Sequence, residues 1–349
     1  MVRAVTMALR DGVRTLYPGY FALVMATGIV SIATSDQAFL SAVLMWVAVC
    51  AYAVLVALLA WRAVAFRAEL AADLRNPGKA FGIFTLVAAT NVLGTRLTMA
   101  GAVAAGIVLL AVGTGTWLVL AYAIPWSLGT APRPVVAAAN GTWFIWVVAT
   151  QSVAVLTASL EPQLPALRRE LALLAVSCWA IGTFLYVAVG GLVAARLLLY
   201  DVNPADLTPP YWVAMGAAAI TVVAGVRITR MAAAPALLPT GGLIAGISVL
   251  FWAFATWLIP LLLALGWRRH VTHRIPLRYE PALWSIVFPL GMYAVASRTL
   301  GATLQLPIVT AIGSAQVWVA VAVWVAVFAG LVTDLAHSWR ELVFSRLQP

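Results

Sequence analysis

Of 349 residues, 64% are hydrophobic and only 9% charged, and the mean hydropathy is +1.02. So little polar side chain cannot coat a soluble globule, and the chain reads as a membrane protein. The formal charge of +10 does not point to nucleic acid, because the basic residues fall between apolar runs, where they orient membrane spans.

Arg3, Arg10 and Arg14 precede the first apolar run as in a signal peptide, but that run holds Pro18 and Gly28 and no clear cleavage site, so it reads as a first span. A membrane helix needs about 20 mostly apolar residues, and ten stretches qualify: 17–35, 38–61, 80–98, 101–125, 135–158, 170–198, 209–229, 241–266, 281–299 and 310–335. The runs are too long and too evenly apolar for barrel strands. The expected fold class is therefore all-α, one transmembrane domain of ten helices over 1–349. Between the second and third spans, 62–75 mixes Ala, Phe, Leu and charges, which predicts a short interfacial helix ended by Pro77. Gly242 and Gly246 form a GxxxG on the eighth span and read as helix packing.

With the N-terminus in the cytoplasm, fifteen of the 21 Lys and Arg face that side and six face the other. Trp61, Trp126, Tyr200, Trp267 and Trp339 then fall at the cytoplasmic ends of the even helices, as an aromatic belt requires. Both termini are expected inside a cytoplasmic membrane.

One pattern opens spans at both ends of the chain: Pro18, Phe21, Met25 and Gly28 share their spacing with Pro281, Trp284, Phe288 and Gly291. Weaker echoes stand at Asn140/Trp143 and Pro209/Trp212. Repeated helical hairpins follow, with odd helices entering the bilayer alike around a common axis. A shared axis is what a pore needs.

All eleven acidic residues and the three histidines lie in loops or near helix ends. A cation site, a proton relay or a metal site would place such groups inside the membrane, and an intramembrane hydrolase would need a nucleophile with its base. Neither a catalytic residue nor a cofactor is expected. Anions or neutral solutes remain. The basic balance and the arginines near the helix ends favour an anion at the mouths, or else those arginines set topology and bind lipid headgroups.

Small and polar residues concentrate on the odd helices: Thr27 and Gly28, then Thr90, Asn91 and Gly94, then Gly141, Thr150 and Gln151, then Gly216 and Thr221, then Pro289, Gly291 and Ser297. They suit a solvated lining and helix bends, or tight packing. Seven positions beyond each opening Pro or Asn stand Met25, Val147, Gly216 and Phe288, about 10 Å along a helix. Thr85 or Ala88 completes the layer from the third helix. Such a ring is apolar, and a narrow apolar ring stops ions by excluding water.

The stretches YPGYFALVMATGIVSIA (17–33), GTWFIWVVATQS (141–152), PYWVAMGAAAI (210–220), WAFATWLIP (252–260) and WSIVFPLGMYAVA (284–296) carry a resemblance. Together they resemble the tellurite-resistance and dicarboxylate transporter family, which includes the plant guard-cell slow anion channels. The resemblance implies five hairpins in quasi-fivefold arrangement, odd helices inside, commonly in a homotrimer. It also implies anion conduction or export, with the ninth-helix phenylalanine, here Phe288, plugging the pore. The expected function is a gated channel or facilitator for small inorganic or dicarboxylate anions. A proton-coupled carrier of malate-like dicarboxylates, or a tellurite or sulfite transporter, is the alternative.

Overall fold

The computed structural model describes residues 2–129, 135–232 and 240–344. Arg133 and Arg346, both on the N-terminal side by the charge count, lie outside them. Among the described residues there is no strand. The α-helices are α1 (Val2–Arg14), α2 (Ala22–Ala33), α3 (Ala38–Ala65), α4 (Arg67–Arg75), α5 (Phe84–Met99), α6 (Val103–Gly129), α7 (Phe144–Leu160), α8 (Arg168–Leu199), α9 (Val213–Thr229), α10 (Gly241–Trp267), α11 (Trp284–Thr303) and α12 (Pro307–Phe344). The expected interfacial helix is α4. Its Asp73 accepts from Arg62 of α3 at 2.7 Å, and Arg62 also donates to the Arg14 carbonyl at 3.1 Å, so one buried guanidinium ties α1, α3 and α4 together.

Five helices begin with a 3-10 turn: Pro18–Phe21, Ala80–Ile83, Gly141–Trp143, Pro209–Trp212 and Pro281–Leu283 lead into α2, α5, α7, α9 and α11. Proline costs nothing there, since the first N–H groups of a helix have no intrahelical acceptor. Before α7 the Asn140 side chain serves instead, accepting from the Thr142 N–H at 2.8 Å. The turn before α5 has neither; it hangs from the Asn76 carbonyl, which accepts from Lys79 and Ala80. That is why the sequence echo skips the third span.

These five helices are the interior. In the most apolar stretch of the α5, α7, α9 and α11 segments, 78–89% of residues are buried, against 17–39% in α3, α6, α8, α10 and α12, and α2 is buried from end to end. Outward-facing rings such as Trp46, Trp126, Phe184 and Trp257 are exposed, as lipid contact requires. Nine helices among the described residues are long and apolar enough to cross a bilayer, while the first segment, Pro18–Ala33, is shorter. The inner helices touch in a closed cycle, α2 to α5 to α7 to α9 to α11 and back to α2, and their entry turns touch in the same order. Each outer helix packs on the inner helix that precedes it in the chain.

A second set of bonds joins each outer helix to the inner helix of the next hairpin. Tyr52 of α3 meets the Thr90 hydroxyl of α5 at 2.8 Å, Trp117 of α6 donates to Thr150 of α7 at 2.9 Å, and Trp179 of α8 donates to the Thr221 carbonyl of α9 at 3.1 Å. Trp252 of α10 donates to Ser297 of α11 at 2.9 Å, and Trp324 of α12 closes the cycle on Thr27 of α2 at 3.0 Å. An indole N–H in hydrocarbon has no water to turn to, so it selects a partner on a neighbouring helix. The GxxxG of α10 has no packing partner among the described residues. A Cβ at Gly242 or Gly246 would meet nothing within 4 Å, so neither glycine packs against another part of the chain.

Candidate functional site

A narrow cavity lies among the five inner helices, and each contributes a pair of residues one helical turn apart. Ile29 and Ile32 come from α2, Val92 and Thr95 from α5, Ser152 and Val155 from α7, Ile220 and Val223 from α9, Met292 and Val295 from α11. Every pair is spaced i, i+3, so each helix presents one stripe to the same space. Its volume of about 10 Å³ is room for roughly one water.

Following each stripe one turn toward the entry turns, four residues back, leads to Met25, Ala88, Val148, Gly216 and Phe288. All five are fully buried. Four of these positions follow from the sequence count as well, Ala88 being one of its two choices on the third helix; on α7 the stripe selects Val148 beside the expected Val147, which is also fully buried. Phe288 is among the largest fully buried side chains of the chain. It precedes Pro289, which has no N–H to give the Ser285 carbonyl, so the α11 ladder is interrupted beside it.

The glycines fill a different role from the cavity stripe. A Cβ at Gly28 would come within 2.9 Å of Val92, at Gly291 within 3.0 Å of Ile29, and at Gly216 within 2.8 Å of Pro289. These three therefore set how closely the inner helices approach. Gly94 is packed against Leu156 and Leu109, and at Gly141 a Cβ would overlap the Pro210 carbonyl of the next entry turn.

The expected polar lining is mostly turned away from the cavity. Thr27, Thr90, Thr150 and Ser297 accept from, or pair with, the aromatic side chains of outer helices, and Thr221 lends its carbonyl to Trp179. Gln151 donates to the Trp179 carbonyl at 3.2 Å, and Asn91 donates to Ser152 at 3.0 Å while its own oxygen lies against Gly113 of α6. Sequence reasoning missed this because a hydroxyl on an evenly apolar helix carries no directional signal. The usable signal was the mid-span tryptophan, which needs an acceptor.

The arginines separate in the same way. Arg298 pairs with Asp36, and Arg168 pairs with Glu161 at 3.1 Å. Arg96 donates to the Ser31 and Ser41 hydroxyls at 2.8 and 3.0 Å, facing α2 and α3. Among the described residues Arg227 is the one ionisable side chain that lines the cavity, and its bond goes to the Ser159 hydroxyl.

Buried helices ringed by lipid-facing ones define a multi-pass helical membrane protein. The chain belongs to the voltage-dependent anion channel family, whose model matches residues 15–332. It is also 61% identical over 153 residues to an uncharacterized membrane protein of Mycobacterium tuberculosis, covering 44% of this chain and 78% of that relative. An uncharacterized transporter of Methanocaldococcus jannaschii is 23% identical over 325 residues, 90% of this chain and 92% of its own. A second uncharacterized transporter of the same organism is 24% identical over 189 residues, 53% of each chain.

Proposed function

We propose that this protein is a gated channel or facilitator that passes small anions along an axis surrounded by α2, α5, α7, α9 and α11 in quasi-fivefold arrangement. The observation that carries the reading is the cavity stripe, contributed in the same register by all five inner helices and ending at the layer that holds Phe288. A ring of Met25, Ala88, Val148, Gly216 and Phe288 offers an ion no polar partner, and Phe288 is its largest member. Closure is by dewetting, and displacement of the Phe288 ring opens the path. The charge asymmetry supports a cytoplasmic side for both termini, with the entry turns on that side and the cavity on the other. Membership of an anion-channel family and likeness to proteins called transporters support transport over catalysis.

The test is current across a voltage-clamped bilayer holding purified wild type or Phe288→Ala, with chloride, nitrate and malate, with and without a pH gradient. The variant is expected to carry roughly tenfold more current, which corresponds to a barrier lowered by about 1.4 kcal/mol. Its currents should reverse near the anion Nernst potential and ignore pH. Silence in the bilayer, with malate uptake into liposomes driven by a proton gradient, would replace this reading with a coupled carrier.

A further inference from the structure

Among the described residues, the carboxylates in ion pairs are claimed by other cations: Asp11 by Arg14, Asp36 by Arg298, Asp73 by Arg62 and Lys79, Glu161 by Arg168, Asp206 by Arg196. Arg227 has none of them. It is half-buried near the end of α9, on the cavity stripe, and of its five N–H donors one goes to a neutral hydroxyl, Ser159. Ser159 is itself occupied as a donor, to the Val155 carbonyl at 2.6 Å. The other polar groups of the cavity give no counter-charge. Thr95 donates to the Asn91 carbonyl and Ser152 to the Ala149 carbonyl.

A half-buried guanidinium beside a mostly apolar cavity, with no carboxylate paired to it, is costly unless a counter-ion comes from solution. We propose that Arg227 is that recruiting group: it holds a small monovalent anion at the end of the cavity away from the entry turns and so sets the preference for anions over cations. The proposal rests on the anion-pore reading and deepens it. Arg227 lies about 16 Å along α9 from Gly216, at 1.5 Å per residue, so it selects ions without belonging to the closure. Arg96 does not share the role, because both of its bonds hold it between α2 and α3.

The test uses the full chain in a bilayer with Phe288→Ala, so that current is measurable, under a potassium chloride gradient. Adding Arg227→Gln is expected to lower the chloride-over-potassium permeability ratio roughly tenfold at low salt, with the difference shrinking toward 1 M as screening takes over. Arg227→Lys should keep most of the preference. An unchanged ratio in a conducting Arg227→Gln variant overturns the assignment and leaves the Phe288 reading standing. If Phe288→Ala carries no current, the pore reading fails and the site is read by melting instead, in sodium nitrate against sodium gluconate at equal ionic strength. A saturable stabilisation of the wild type by nitrate, lost in Arg227→Gln and kept in Arg227→Lys, supports the site on its own. A wild type that nitrate does not stabilise, or an equal effect in Arg227→Gln, overturns it.

Discussion

At one end of the five inner helices the entry turns meet almost backbone to backbone; toward the other, from about 10 Å along α9 onward, the same helices surround a small cavity. The residues at the two ends account for the difference. At the turn end the contacts are made by glycine: Gly141 lies against the Pro210 peptide, and a Cβ at Gly82 would come within 3.2 Å of the Gly19 nitrogen. At the cavity end the facing side chains are Ile32, Val155, Val223, Val295 and Arg227. Branched chains there leave between them a space of about one water. Glycine thus meets backbone where the turns join, whereas beside the cavity Gly28, Gly94 and Gly291 meet side chains of the neighbouring inner helix.

The strongest way to break this contrast is to put a side chain where the turns meet. Gly141→Ala places a methyl group on the Pro210 carbonyl and the Tyr211 nitrogen, backbone atoms that cannot rotate aside. The expected loss is about 3 kcal/mol, seen as a lower melting temperature or faster proteolysis in detergent. A variant that melts with the wild type would show that the turns separate at no cost.

A milder change tests the bonds that link the hairpins between those two ends. Trp117→Phe removes the donor to Thr150, whose hydroxyl keeps its own bond to the Trp146 carbonyl at 2.9 Å, so no buried group of Thr150 is stranded. The expected cost is about 1 kcal/mol. A cycle with Thr150→Val should show coupling of similar size, since the two residues share one bond. Zero coupling would mean that the helices are held by packing alone.

Much of this frame is legible in the sequence, and the reason is chemical. Pro18, Pro209, Pro281 and Asn140 mark entry turns because only certain residues suit the first turn of a helix, and Phe288 follows from Pro281 by simple counting. What the sequence does not disclose is direction. Thr27, Asn91 and Thr221 sit on helices that are apolar all round, so no polar face says which way they point; the structure turns Thr27 and Asn91 toward neighbouring helices and the Thr221 hydroxyl back onto the Ala217 carbonyl of its own helix. The alternation of burial between α5 and α6, or α9 and α10, does show in hydropathy: the buried segment of each pair is the less apolar one, because it carries the small and polar residues that pack helices together.

The smallest expected effect concerns the glycines that the chain leaves unused. A methyl group at Gly246 would meet nothing within 4 Å, so Gly246→Ala removes no internal contact and gains up to about 1 kcal/mol of helix propensity. Melting at or slightly above the wild-type temperature, with the same elution and mass in detergent, is therefore expected. The glycines of the entry turns and of α10 differ only in what faces them, and this variant reads that difference directly. A lower melting temperature accompanied by a smaller particle would show that the Gly242–Gly246 face is filled from outside the chain, by a second copy packed where the GxxxG spacing allows helices to approach.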